Sequence, residues 1–232
     1  MSLPAELPRH AAPTPVNIAI EDAVALLHET PDGTLATHSA TLPGYPYATG
    51  VPYVTDAHHR PVLCISRLAE HTKNLLADPR ASLFVAHPGA ADVQAAPRLT
   101  LTGEVEPFEP PLDFLERYLR YQPGARELLA LDFIFVRLNP LQTRVIEGVG
   151  RMGWLSRDDW AALPVVTHSE EAALVNLAKP HMPPDVRLLG IDCYGIDLII
   201  QGQRTRHRFA GGARHADALA EAIEQVAPTL GA

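Results

Sequence analysis

One stretch in the first half of the chain decides the fold, and it reads Ile65-Ser66-Arg67-Leu68-Ala69-Glu70-His71-Thr72-Lys73-Asn74-Leu75. An apolar run at 61–66 predicts a strand, and the apolar spacing of 68–77 predicts a helix that Asp78-Pro79 stops. Hydroxyl, guanidinium and imidazole groups thus gather where a strand ends and a helix begins. Because a helix N-terminus offers unpaired N–H groups, the pattern indicates a phosphate site. A capped helix with solvated charges is the alternative.

Short strand-like segments surround this stretch on both sides. Residues 98–105 alternate strictly, with Leu99, Leu101, Gly103 and Val105 on one side, which is typical of a half-buried antiparallel strand. We predict further strands at 34–39, 45–54, 81–86 and 133–146, and helices at 17–28, 110–121 and 126–131. Many short strands with few helices favour a small antiparallel barrel over a parallel sheet.

The composition changes near residue 156, and the remainder predicts a second, smaller unit. We expect helices at 169–179 and 216–226 and strands at 186–193, 195–201 and 205–209, with a turn at Gly202-Gln203. The predicted organisation is therefore a loosely ordered arm (1–16), a split antiparallel β-barrel (17–155) and a small α/β domain (156–232) that docks on the barrel.

The order and spacing of five segments resemble those of a known family. The segments are 33–39, 50–53, 65–75, 78–80 and 98–103. They are similar to the FMN-binding split barrels related to pyridoxamine 5′-phosphate oxidase, and most similar to the haem-utilisation (HugZ-type) branch, which adds a small C-terminal α/β domain.

The resemblance implies a homodimer with FMN in a groove at the subunit interface. The cofactor phosphate is expected on the start of the helix, and the ring system along the strand at 49–53. Arg98 and Thr100 are expected near the ring or the ribityl chain, and Trp154 over the ring. The expected cofactor contacts are Thr49, Gly50, Val51, Pro52, Tyr53, Ser66, Arg67, His71, Thr72, Arg98, Thr100 and Trp154.

Two departures from the family bear on function. The C-terminal signature of true pyridoxamine phosphate oxidases is absent from 144–154, so we expect a different substrate. The haem-utilisation branch binds haem through a histidine in a C-terminal tail, and no histidine follows His215. We therefore expect an FMN-dependent oxidoreductase of unknown substrate. A haem-binding or haem-degrading protein and a cofactor-free module are the alternatives.

Bulk composition excludes several other classes. The 232 residues are 47% hydrophobic and 20% charged, with a formal charge of −8, which argues against a nucleic-acid surface. No apolar run is long enough to span a membrane, and the N-terminal stretch lacks the apolar core of a secretory signal. We therefore expect a cytoplasmic protein without membrane contact.

Cys64 and Cys193 are interpreted as buried thiols, and a disulfide between them is left open. His58-His59 is expected in a solvated turn, and histidine spacing predicts no metal site.

Overall fold

A computed structural model describes residues 18–87, 92, 94–148 and 150–230. The predicted arm at 1–16 lies outside these residues. Eight strands form one antiparallel sheet: β1 (Asp32–His38), β2 (Pro46–Pro52), β3 (Val54–Thr55), β4 (Pro61–Ser66), β5 (Arg80–Ala86), β6 (Arg98–Pro107), β7 (Phe133–Gly148) and β8 (Arg151–Ser156). The accompanying helices are α1 (Ile20–Glu29), α2 (Glu70–Ala77), α3 (Leu112–Tyr121), α4 (Ala125–Leu128) and α5 (Arg157–Ala161).

The sheet curls into a split barrel with strand order β2-β1-β5-β6-β7-β4-β3. The long strand β7 pairs with β4 through its first part and with β8 through its last part. Its register with β6 shifts between Thr102 and Gly103, where a Cβ on Gly103 would lie 2.0 Å from the Asn139 carbonyl oxygen. Glycine at this position therefore lets the two backbones approach where β7 changes partners.

Helix α1 packs its apolar side chains into the hydrophobic core of the barrel. The residues from Ala23 to Leu27 are all at most 4% exposed. The Tyr53 hydroxyl donates a hydrogen bond of 2.8 Å to the Leu27 carbonyl, which fixes the end of the helix against β2. The alternation expected for β6 is confirmed, since Leu99, Leu101 and Val105 all face this core.

The C-terminal part forms a separate three-stranded sheet in the order β11-β10-β9. Its elements are α6 (His168–Ala178), β9 (Val186–Asp192), β10 (Gly195–Ile200), β11 (Gln203–Arg208) and α7 (Ala216–Val226), with short 3₁₀ turns at Lys179–His181 and Ala227–Thr229. Gln201 and Gly202 both have positive φ, as a tight two-residue hairpin requires. One hydrophobic cluster joins this sheet to the barrel and includes Leu27, Leu35, Ile196 and Leu198.

The predicted fold class is confirmed, and the differences are local. Strand β8 and helix α5 were not predicted, and Trp160 of α5 packs on the barrel, where its indole N–H donates to Thr143 Oγ1 at 2.8 Å. Cys64 and Cys193 are buried free thiols, which removes the disulfide alternative. Within the described residues, no helix is both long and apolar enough to span a bilayer.

Candidate functional site

The expected cofactor strand, β2, presents two faces. Gly50 and Pro52 lie on the outer face of the sheet, whereas Val51 and Tyr53 are 3% and 0% exposed in the core. Thr49 is half-buried. Side chains at 51 and 53 therefore stabilise the barrel, and only the outward positions and the backbone of this strand face the surface.

Several polar groups at the β4–α2 junction already have hydrogen-bond or ion-pair partners within the chain. The Thr72 hydroxyl donates to the Ser66 carbonyl at 2.6 Å, and Ser66 Oγ accepts the Leu68 N–H at 3.2 Å. Arg67 Nε lies 3.2 Å from Asp132 Oδ1, and both side chains are more than half exposed. His71 Nε2 is buried without a hydrogen bond, and burial lowers the pKa of this imidazole. Arg67 and His71 thus retain the capacity to bind an anion at the start of α2.

Strand β2 lies beside this junction. It contacts both β4 and α2. The fold therefore brings the expected ring strand and the expected phosphate residues together.

The remaining predicted residues lie elsewhere on the outer face of the sheet. Adjacent pairs in the register form one row across six strands: Gly50, Thr34, Phe84, Thr100, Arg144 and Trp154. At about 4.8 Å per strand, Gly50 and Trp154 are separated by roughly 24 Å along the sheet. One chain therefore presents two separate groups of predicted contacts.

The outer face of the sheet carries several exposed apolar side chains, and Met152 lies next to Trp154 on β8. Trp154 is 58% exposed, and Phe84, Leu141 and Met152 are also exposed. The Arg144 guanidinium lies 5.0 Å from the Trp154 ring centroid, which gives the surface a positive charge beside an aromatic face. Arg98 donates from Nη1 to the Gln94 and Ala96 carbonyls and holds the loop that precedes β6. Exposed apolar surfaces of this kind mark interaction sites.

A shallow cavity of about 380 Å³ lies on the same face of the sheet. The exposed His38 lines it, together with residues of β2, β5 and β6 and with Leu141. An imidazole on the outer face therefore stands beside an open, partly apolar groove.

Sequence reasoning missed a buried polar cluster between the barrel and the C-terminal sheet. His59 lies in the expected turn but is only 2% exposed, so the expectation that its side chain is solvated is wrong. Its Nδ1 lies 3.0 Å from His28 Nε2, and His28 Nδ1 lies 2.6 Å from Asp197 Oδ2. Burial lowers the pKa of His59 to about 3, so the imidazole is neutral at neutral pH.

Two guanidiniums compensate the carboxylates of this cluster. Arg206 donates to Asp192 Oδ1 at 2.6 Å and to Asp197 Oδ1 at 2.5 Å, and Arg117 pairs with Glu171. Burial, the largest single influence, would raise the Asp192 pKa, but the neighbouring positive groups, Arg206 foremost, together outweigh it and lower the pKa to about 2. No sequence motif signals this network, since its members come from seven different elements or turns.

Comparisons with known proteins were consistent with this architecture. The family model for pyridoxamine 5′-phosphate oxidase matches residues 19–144. The non-canonical haem oxygenase HOZ of Arabidopsis thaliana chloroplasts is 32% identical over 152 residues, which cover 63% of this chain and 47% of the relative. The chain thus spans about half the length of that curated relative.

Two solved structures match nearly the whole chain. A haem-binding protein from Mycobacterium smegmatis is 28% identical, with a TM-score of 0.59 and coverage of 90% of this chain and 99% of that one. A protein of unknown function from Agrobacterium tumefaciens is 26% identical, with a TM-score of 0.68 and coverage of 93% and 100%. Both matches extend beyond the barrel into the C-terminal sheet.

Proposed function

Because this chain belongs to the pyridoxamine 5′-phosphate oxidase family, we propose that it binds haem on the outer face of its barrel sheet. The observation that carries the proposal is the exposed platform of Trp154 and Met152 on β8, with the Arg144 guanidinium over the Trp154 ring. A porphyrin needs a flat apolar surface for its ring and cations for its propionates. Similarity to a haem-binding protein and to a haem oxygenase supports this choice.

The groove is completed by a second copy of the chain in this proposal. The Gly50 and Trp154 ends of the row are five strand spacings apart, roughly 24 Å along the curled sheet, and form two separate groups of contacts. In a two-fold dimer, the group near Gly50 of one protomer faces the platform of its partner. The exposed apolar side chains of the platform are then covered in the assembly.

His38 is the candidate axial ligand, and in this proposal the partner protomer supplies it, because within one chain His38 lies on the β2 side of the sheet, away from Trp154. It is exposed on the same face and lines the cavity of about 380 Å³. Imidazole is the commonest proximal ligand of haem iron. When bound, haem supplies redox and oxygen chemistry, and the chain's own residues bind and orient it.

Haem titration of the purified chain tests the proposal. We expect an intense Soret band at one haem per chain, and Trp154→Ala should weaken binding about 5–150-fold, since stacking on an aromatic ring contributes about 1–3 kcal/mol. Leu112→Ala is the matched control, because Leu112 is 80% exposed on α3. His38→Ala should shift the Soret band, whereas the exposed His58→Ala should not. Equal affinities of Trp154→Ala and Leu112→Ala would refute the platform.

The second candidate is FMN binding in the same groove, with an oxidoreductase activity toward an unidentified substrate. The observation that favours it is the β4–α2 junction, where Arg67 is exposed and His71 Nε2 is buried without a partner. FMN titration separates the two candidates. Arg67→Ala should weaken FMN binding by about 1.5–3 kcal/mol, the scale of a charged hydrogen bond. An unchanged affinity for FMN excludes this phosphate site.

Sedimentation tests the dimer independently of the cofactor. We expect a dimer at micromolar concentration that Trp154→Ala weakens. A wild-type chain that sediments as a monomer with and without cofactor contradicts the shared groove.

A further inference from the structure

Three side chains with metal-ligating atoms meet in the interior, away from the groove. They are His28 at the end of α1, His59 in the β3–β4 turn and Asp192 at the end of β9. One candidate ligand atom from each lies within 4.8 Å of the other two, and all three residues are at most 8% exposed. The fold thus joins N, N and O donors from three distant parts of the chain.

The surroundings of His28 are those of a metal-binding imidazole. Its Nδ1 is hydrogen-bonded to Asp197 Oδ2 at 2.6 Å and lies 3.5 Å from Asp192 Oδ2, whereas its Nε2 faces His59 Nδ1 and the Thr55 hydroxyl. Histidines that bind metals usually donate their second ring N–H to a carboxylate in this way. Asp197 is itself fixed by Arg206 and by the Tyr121 hydroxyl, each at 2.5 Å.

The spacing of the donors suits one small ion. His28 Nε2 and His59 Nδ1 are 3.0 Å apart. Two nitrogens on a tetrahedral zinc, each at about 2.0–2.1 Å from the ion, are about 3.3 Å apart. These two imidazoles are hydrogen-bonded to each other in the metal-free state, so an ion between them requires the proton on this bond to move to the other nitrogen of its ring.

Two buried polar atoms of the cluster have no hydrogen bond, which is uncommon for buried groups. They are His59 Nε2, on the side of the ring away from His28, and Asp192 Oδ2, which lies 3.5 Å from His28 Nδ1. A small cavity of about 10 Å³ adjoins them, lined by His28, His59 and Asp192 among others. This volume is close to that of a single water or ion.

We infer that His28, His59 and Asp192 bind a divalent transition-metal ion of the zinc type. Mixed imidazole and carboxylate donors suit zinc and its neighbours, whereas magnesium and calcium favour all-oxygen sites. The ion joins α1 and the β3–β4 turn to the C-terminal sheet. Its position inside the core gives it a structural role rather than a place in the cofactor groove.

Titration of the chelator-treated full chain with Co²⁺ and Zn²⁺ tests the inference. We expect one Co²⁺ per chain with visible d–d absorption, its displacement by Zn²⁺, and a higher unfolding temperature with either ion. His59→Ala should weaken binding at least about tenfold, and Asp197→Asn about 10–100-fold. His58→Ala is the matched control, because this neighbouring histidine is exposed.

The outcomes separate a metal site from a hydrogen-bonded network. If His59→Ala does not fold, His59→Gln and the wild-type titration carry the test. Absence of a cobalt spectrum and of zinc binding in the wild-type chain overturns the inference and leaves a buried water in the cavity. Equal affinities of the His59 variants and His58→Ala also overturn it.

Discussion

Replacing Arg206 by methionine should destabilise the protein strongly, because this guanidinium is the link between two buried carboxylates. Its side chain is 0% exposed and donates to Asp192 at 2.6 Å and to Asp197 at 2.5 Å. Methionine preserves much of the volume but leaves both carboxylates uncompensated. Breaking a buried pair in this way costs about 3–5 kcal/mol, a large part of the ~5–15 kcal/mol that stabilises a typical domain.

Chemical denaturation of wild type and variants measures this loss as a change in the free energy of unfolding. Arg208→Met is the matched control on the same strand, since Arg208 pairs with Asp22 at the surface and should lose only about 0–1 kcal/mol. The double variant Asp197→Asn with Arg206→Met should lose less than the sum of the single changes, because one uncompensated charge is removed. An Arg206→Met loss within about 1 kcal/mol of the control would refute the reasoning.

Three further predictions concern the core. Tyr53→Phe removes the 2.8 Å hydrogen bond to the Leu27 carbonyl and should cost about 0.5–1.5 kcal/mol in denaturation, with the exposed Tyr45→Phe unchanged. Gly190→Ala should cost about 1–3 kcal/mol, because its Cβ would lie 2.2 Å from Tyr121 Oη, whereas Gly124→Ala meets nothing within 4 Å; equal losses would contradict this. Burial lowers the His168 pKa below 6.5, and its Nε2 accepts the Ala57 N–H at 3.1 Å. The unfolded chain therefore takes up the proton first, and stability should fall as the pH drops below 6.5, by at most about 1.4 kcal/mol per pH unit for this group. His168→Gln should show a shallower pH dependence of the unfolding free energy, and identical slopes would exclude His168 as a cause.

Strands and helices with a clear period were predictable because period is a local property of the chain. The alternation of β6 identified its buried face, and the run from Ile65 to Leu75 located the β4–α2 junction. Strand β8 was missed, since Gly153 and the exposed Met152 and Trp154 give it a weak pattern. The cofactor contacts predicted from the family resemblance stay predictions.

The sequence by itself determined the split barrel, the small C-terminal sheet and the family, because these depend on local periodicity and on the order of short motifs. Only the tertiary structure decided which polar residues are buried. His59 lies in a polar turn of the sequence, yet it contacts His28 and faces Asp192 across the core. Whether a charged or polar side chain can be buried depends on partners that compensate it, and Arg206 and Asp197 are far from His59 in the chain. Strand order likewise depends on tertiary packing. Gly50 and Trp154 lie far apart because the order of strands across a sheet is fixed by packing rather than by distance along the sequence.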